Sequence, residues 1–331
     1  MNADEAALSV RALSVEFATR EGPVRAVRDV ALDVYAGRTL AILGESGSGK
    51  SVTALTIMGL LDSPPARVTS GSIMFEGADL VTATERTRMR VNGEGIAMVF
   101  QDALSALNPV YTVGNQISEL LRVRRGLSRA AARAQAIELM ERVRIPAAAR
   151  RVDDYPHQFS GGMRQRIMIA LAVALDPRVL IADEPTTALD VTVQAQIMEL
   201  LTELRRENGM GLVLITHDLG VVAEVADDVT VMYSGRIVER GTVEELFQRP
   251  AHPYTRGLLR SMPRPDRQDD ELWAIPGAPP SSLHAPGGCP FHPRCDAAVD
   301  RCRSDQPEFE LIAAGRGSAC HRSQEVFDGR A

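Results

Sequence analysis

The sequence predicts an α/β fold, and three observations carry that prediction. The apolar run 38–43 enters a glycine-rich loop, Gly44-Glu45-Ser46-Gly47-Ser48-Gly49-Lys50-Ser51, where a helix should begin. Val179-Leu180-Ile181-Ala182 and Leu212-Val213-Leu214-Ile215 are short apolar runs bounded by polar residues, the pattern of central parallel strands. Between them Ile197, Leu200, Leu201 and Leu204 recur at helical spacing over 193–206, so strand, helix and strand follow in βαβ order.

Ahead of the loop, Leu13-Ser14-Val15-Glu16-Phe17 and Val30-Ala31-Leu32-Asp33-Val34 alternate in polarity, as half-buried strands do. A helix starting near Lys50 is expected to stop at Pro64 and Pro65, and Gly71-Ser72-Ile73-Met74-Phe75 reads as another strand. From about 112 to 175 the pattern is helical; over 129–143, Ile137, Met140 and Val143 stand beside a polar face. Beyond 249 six prolines fall between Pro263 and Pro286 and erase both periods. A linker or a small irregular domain is expected there.

Composition excludes several classes. The 331 residues are 45% hydrophobic and 24% charged, which rules out a largely disordered chain or a collagen-like repeat. The longest obvious apolar run, 167–175, falls well short of the roughly 18 residues that a membrane-spanning helix needs. Met1-Asn2-Ala3-Asp4-Glu5 lacks the regions of a secretory signal, so a cytosolic protein is expected. A net charge of −6 argues against a nucleic-acid partner.

Lys50 is the only lysine in the chain; every other basic side chain, histidine apart, is arginine. It sits in a loop that meets the phosphate-loop pattern at each fixed position. Glycines let backbone N–H groups curl around phosphate oxygens, and the helix N-terminus adds a field favourable to anions. Lys50 supplies a point charge for the β- and γ-phosphates, and the Ser51 hydroxyl suits Mg²⁺. Val179-Leu180-Ile181-Ala182-Asp183-Glu184 is an apolar strand ending in two carboxylates. Asp183 is placed to hold Mg²⁺, and Glu184 to act as a general base toward water.

Phe159-Ser160-Gly161-Gly162-Met163, followed by Arg164-Gln165-Arg166, resembles the signature motif of ABC-type ATPases. The family's other motifs follow in order: Gln101 as the Q-loop, Ala188-Leu189-Asp190 as the D-loop, and His217 as the switch histidine. The resemblance covers about 8–260 and implies a RecA-like P-loop NTPase core with an antiparallel β subdomain and an inserted helical subdomain. It implies a nucleotide-binding domain at 6–258, helical at about 102–175, and an extension at 259–331. It also implies two such domains facing head to tail. Residues 44–51, Gln101, Asp183, Glu184 and His217 would then serve one ATP, while Ser160, Gly161 and Gly162 serve the partner's. Phe17 would stack on adenine, though a place in the strand core suits it equally.

Three further stretches resemble oligopeptide and dipeptide importers: Ser105-Ala106-Leu107-Asn108-Pro109, Tyr155-Pro156-His157-Gln158-Phe159, and Arg249-Pro250-Ala251-His252-Pro253-Tyr254-Thr255. Met163 and Ile167-Met168-Ile169 resemble the D-type ATPase subunit, whose partner is the F-type. That implies two transmembrane permease subunits, an extracytoplasmic peptide-binding protein, and a place on the cytoplasmic face of the membrane. Nickel and other small-solute importers share these motifs. A soluble ABC ATPase acting on DNA or ribosomes is the other alternative.

Cys289, Cys295, Cys302 and Cys320 all lie in the last 43 residues. Their gaps are wider than the usual first pair of a zinc site and wider than ferredoxin runs, so spacing favours neither. Similar tails on D-type subunits carry a [4Fe–4S] cluster, which the resemblance therefore implies here; Zn²⁺, and cysteines left unliganded or paired in disulfides, are the alternatives, with His292 and His321 read as bystanders that a zinc site could recruit. The ATP site is expected to lie in a separate core from this tail.

Overall fold

The computed structural model describes residues 5–187, 189–262, 273–281, 283 and 285–331. The D-loop's Ala188 and the prolines Pro263 and Pro265 lie outside the described residues. The chain forms two compact units, one of residues 8–34, 38–83 and 215–331, the other chiefly of residues 84–214.

The first unit begins with β1 (Leu8–Thr19), β2 (Gly22–Val34), β3 (Thr39–Leu43), β4 (Ala66–Phe75) and β5 (Ala78–Asp79). β1 pairs antiparallel with β2, Leu8 opposite Val34, and with β4, Leu8 opposite Phe75, in a sheet ordered β2-β1-β4-β5. Leu8, Val10, Leu13 and Val15 are buried in it, so the alternation read in the sequence is that of a sheet with one buried face. β3 is buried at all five positions. The helix Lys50–Met58 ends at Gly59, whose φ of 66° makes a left-handed cap. The stop therefore comes before Pro64, from a residue that adopts this conformation without a β-carbon penalty.

The second unit holds the helical region. Val113–Arg125, Arg129–Arg142 and Gly161–Val173 are capped by the side chains of Thr112, Ser128 and Ser160, each accepting from the amide three residues on. β6 (Ile96–Val99) and β7 (Val179–Asp183) run parallel, Ile96 opposite Val179, and β8 (Gly211–Thr216) adjoins β7. Every residue of the three strands is buried, which explains their unbroken apolar runs. The helix Val191–Asn208 precedes β8 and turns Ile197, Leu200, Leu201 and Leu204 inward.

The first unit resumes with β9 (Asp228–Tyr233), parallel to β3, and β10 (Arg236–Thr242), antiparallel to β9. The tail departs from the irregular domain expected. β11 (Glu310–Ala313) and β12 (Arg316–Ser318) extend this sheet, with Glu239 opposite Ser318 and Arg240 opposite Gly317. Strands of four and three residues are too short to leave a period in the sequence. Phe291 of the tail is buried in one core with Leu43, Val231, Tyr233 and Tyr254.

Candidate nucleotide-binding site

The buried β3 delivers the chain to Gly44, where φ is +153° and an added β-carbon would lie 2.3 Å from the Met232 carbonyl oxygen. At Gly49, φ +103°, it would lie 2.6 Å from the Ala26 carbonyl oxygen. Both positions demand glycine on space as well as dihedral. Lys50 is 5% exposed, and its Nζ donates to the carbonyls of Gly44 at 2.7 Å and Glu45 at 3.0 Å. The Ser48 amide donates to the Glu45 carbonyl at 3.2 Å, while Ser46 and Gly47 stand exposed at the loop tip. Ser51 lies in the first turn of the following helix. The loop is thus closed around its ammonium and open at its tip.

Glu45 is held from a distance. Arg294 grips its carboxylate with Nη1 at 2.6 Å from Oε2 and Nη2 at 2.9 Å from Oε1, and the Arg294 side chain is 5% exposed. This fork raises the guanidinium pKa further above its ordinary value. The Glu45 amide donates to the Tyr254 hydroxyl at 2.9 Å. Burial pushes the Tyr254 hydroxyl pKa up, so the phenol stays protonated.

In the other unit, Asp183 is buried at the end of β7. Glu184 follows it at φ 44°, a left-handed conformation costly for a residue with a side chain. Its Oε2 accepts from Gln101 Nε2 at 3.0 Å and from the Thr187 hydroxyl at 2.9 Å. The Q-loop glutamine and the proposed base are therefore brought together, 83 positions apart in the chain. Thr187 is a contact that sequence reasoning missed, although the pair Thr186-Thr187 stands just after the carboxylates.

Ser160 caps the helix Gly161–Val173 through Met163 N, and Gly162 packs so closely that an added β-carbon would lie 2.6 Å from Val193 Cγ1. Asp190 caps the helix containing Val193, accepting from its amide at 2.9 Å. Signature and D-loop are thus packed against each other. His217 is exposed between β8 and the helix Leu219–Val225, which Asp218 caps. Phe17 is half-buried on β1, opposite Val24 and Ala66.

Residues 27–187 match the family described as ABC transporter, and residues 238–302 match the oligopeptide/dipeptide transporter C-terminal region. The dipeptide transport ATP-binding protein DppD of Escherichia coli strain K12 is 49% identical over 316 residues, covering 96% of each chain. The ATP-binding cassette MJ0796, solved as a dimer bound to ADP and Pi after hydrolysis, superposes with a TM-score of 0.64 at 27% identity. It covers 71% of this chain and 98% of its own. CbiO1 of Clostridium perfringens, part of the ABC transporter complex cbiONQ, gives a TM-score of 0.63 at 30% identity, covering 74% of this chain and 91% of that one. The chain belongs to the ABC transporter ATP-binding subunits of the oligopeptide/dipeptide family. It is an ABC ATPase built on the P-loop NTPase fold.

The tail of this ABC subunit gathers its cysteines. Cys289, Cys295, Cys302 and Cys320 line one small pocket with His252, Phe291, His292 and His321, and the Cys289 amide donates to the Cys302 carbonyl at 2.9 Å. Burial pushes the Cys289 thiol up, the Cys295 thiol up to about 11 and the Cys320 thiol up to about 12. Four thiols are a soft donor set suited to zinc or an iron–sulfur cluster. Among the described residues, however, no three His, Cys, Asp or Glu side chains converge closely enough to hold a metal ion. The pocket collects the sulfurs without closing them on one point. Both histidines are tied to carbonyl oxygens, His292 Nδ1 to Cys289 at 2.9 Å and His321 Nε2 to Asp305 at 2.9 Å.

Among the described residues, no helix is long and apolar enough to cross a membrane. Arg294 and Tyr254 were visible in the sequence only as neighbours of other motifs, the first between two cysteines and the second in the 249–255 stretch. Nothing local marked either as a partner of Glu45. Their contacts also correct the expectation that the tail and the ATP site occupy separate cores.

Proposed function

We propose that this ABC ATPase drives import of peptides, hydrolysing ATP at a site completed by a second cassette. The observation that carries the reading is the Gln101–Glu184 contact beside buried Asp183, in a chain that also owns a closed phosphate loop. An amide and a hydroxyl fix the Glu184 carboxylate, so it is oriented before water arrives.

Residues 44–51 hold the β- and γ-phosphates, with Lys50 as the neutralising charge. Ser51, Gln101 and Asp183 would hold Mg²⁺, which when bound spreads the charge of the phosphate oxygens. Glu184 takes the proton as a water oxygen bonds to the γ-phosphorus and the bridging oxygen leaves with ADP; His217 steadies the γ-phosphate. Ser160, Gly161 and Gly162 present a helix start to the nucleotide of the partner cassette, and Asp190 lies at the seam. Phe17 stacks on adenine with its open face.

The partner cassette is an F-type ATPase subunit, and the pair docks on two permease subunits at the cytoplasmic face, fed by an extracytoplasmic peptide-binding protein. Likeness to DppD and the match of 238–302 support peptide as cargo. Residues 6–258 are the catalytic domain, and in the extension from 259 Cys289, Cys295, Cys302 and Cys320 would hold a [4Fe–4S] cluster, in preference to Zn²⁺. When bound, such a cluster cross-links segments far apart in sequence. The single pocket shared by the four thiols supports it.

Glu184→Gln in the assembled transporter tests the reading. It keeps shape and most hydrogen bonding but removes the base, so turnover should fall about a hundredfold or more while ATP stays bound. Near-normal hydrolysis at the site owned by this chain would reject Glu184 as the base. Vesicle uptake of nickel ion but not dipeptides would reject peptide as cargo.

A further inference from the structure

The cysteine segment reaches into the phosphate loop through one side chain. Arg294, between Cys289 and Cys295, uses both Nη atoms on the Glu45 carboxylate, at 2.6 and 2.9 Å. Its Nε donates to the Pro276 carbonyl at 2.9 Å and its Nη1 also to the Tyr233 hydroxyl at 3.3 Å. The guanidinium lies 5.9 Å from the centroids of both Tyr233 and Phe291, and those rings meet edge to face at 5.3 Å. Buried and bonded at each nitrogen, the side chain has one way to point.

Glu45 is equally committed. Its carboxylate belongs to Arg294 and its amide to Tyr254, while its carbonyl accepts from Lys50 Nζ at 3.0 Å and from the Ser48 amide at 3.2 Å. Fixing the carboxylate and the amide fixes the carbonyl between them, and with it an anchor of the Lys50 ammonium. A planar fork sets both the position and the plane of a carboxylate, which an ammonium does not.

We infer that Arg294, backed by Tyr254, is a positioning residue of the phosphate loop, setting the Glu45 carbonyl that steadies Lys50 and so tying nucleotide binding to the cysteine segment. The inference rests on the phosphate-loop reading above. It gives the tail a part in the ATP cycle through a polar contact rather than through bulk alone.

The test measures ATP affinity, KM and kcat in the assembled transporter, with thermal melting in nucleotide-free protein. Arg294→Ala should weaken ATP binding about tenfold, a charged hydrogen-bond pair being lost, and raise KM more than it lowers kcat. Arg294→Lys keeps the charge without the fork and should recover less than half of that loss. Combined with Glu45→Ala, the two losses should be far from additive, because each removes the same contact. A lowered melting temperature with unchanged ATP affinity would make Arg294 a structural prop only and overturn the inference, as would additive losses. If Arg294→Ala does not fold, Tyr254→Phe removes only the hydroxyl that meets the Glu45 amide; it should weaken ATP several-fold, and unchanged affinity would overturn the proposal. Lys50→Ala runs alongside: should it bind ATP normally, the phosphate-loop reading itself has failed. Loss there with none in Arg294→Ala defeats this inference alone.

Discussion

The phosphate loop and the cysteine segment sit in one compact unit, yet they are assembled in opposite ways. The loop is contiguous. Eight consecutive residues between a buried strand and a helix close on themselves through Lys50 and the Gly44 and Glu45 carbonyls. The cysteine pocket is collected from residues 31 positions apart, Cys289 to Cys320, by an aromatic core and an added pair of strands. A contiguous site stores its geometry in local dihedrals. A dispersed one stores it in the packing of everything around it, and is open to change from many directions.

The sharpest break in that comparison comes from two loop glycines. Gly44→Ala drives a methyl group to 2.3 Å from the Met232 carbonyl oxygen, a backbone atom that cannot step aside without moving β9. ATP binding should be lost, by about a hundredfold or more in affinity, because the loop cannot keep its course. Gly47→Ala meets nothing within 4 Å and carries only the strain of φ +78°, about 1–2 kcal/mol. Equilibrium titration with a fluorescent ATP analogue separates the two. Equal losses would mean that dihedral strain, not space, governs the loop.

The dispersed site should respond to any one of its four members alike. Replacing Cys289, Cys295, Cys302 or Cys320 by serine in anaerobically purified protein should remove the iron, expected at about four per chain, and lower the unfolding midpoint. Zinc with no acid-labile sulfide would replace the cluster by a zinc site. Because Arg294 sits between two of these thiols, Cys295→Ser should also weaken ATP binding by a few-fold. The sequence alone had placed the ATP site in a separate core, still able to bind nucleotide.

This difference in construction also decides what could be read beforehand. The loop, the Asp183-Glu184 pair and the Ser160-Gly161-Gly162 turn are each set by neighbours in sequence, so residue type and spacing expose them. The buried strands β3, β7 and β8 were equally plain, since burial on both faces leaves an unbroken apolar run. The end of the first helix was misplaced because Gly59 acts through its dihedral before the prolines are reached. Strands β11 and β12 were invisible, being too short for a period and held by the edge of β10. Arg294 meets Glu45 across 249 positions, and no local pattern encodes such a contact.

The smallest effect concerns a buried carboxylate that serves the dispersed side. Glu239 on β10 is fully buried; it accepts from the Ala251 amide at 2.6 Å and the His252 amide at 3.0 Å, with Arg316 of β12 at 3.7 Å. It thereby anchors both the segment leading to Tyr254 and the strand that the tail adds. Burial raises its pKa from 4.5 to about 7, the Thr255 hydroxyl, the two amides and Arg316 offsetting only part of that rise. The folded chain therefore holds this proton more tightly than the unfolded chain does. The stability that this supplies is fully present below about pH 4.5 and is lost as pH rises through about 7. Glu239→Gln has no proton to lose, so its denaturation midpoint, though lower overall, should be flatter across that window than the wild type's. Parallel pH profiles for the two proteins would mean that Glu239 is ionised throughout, with Thr255, the two amides and Arg316 outweighing burial.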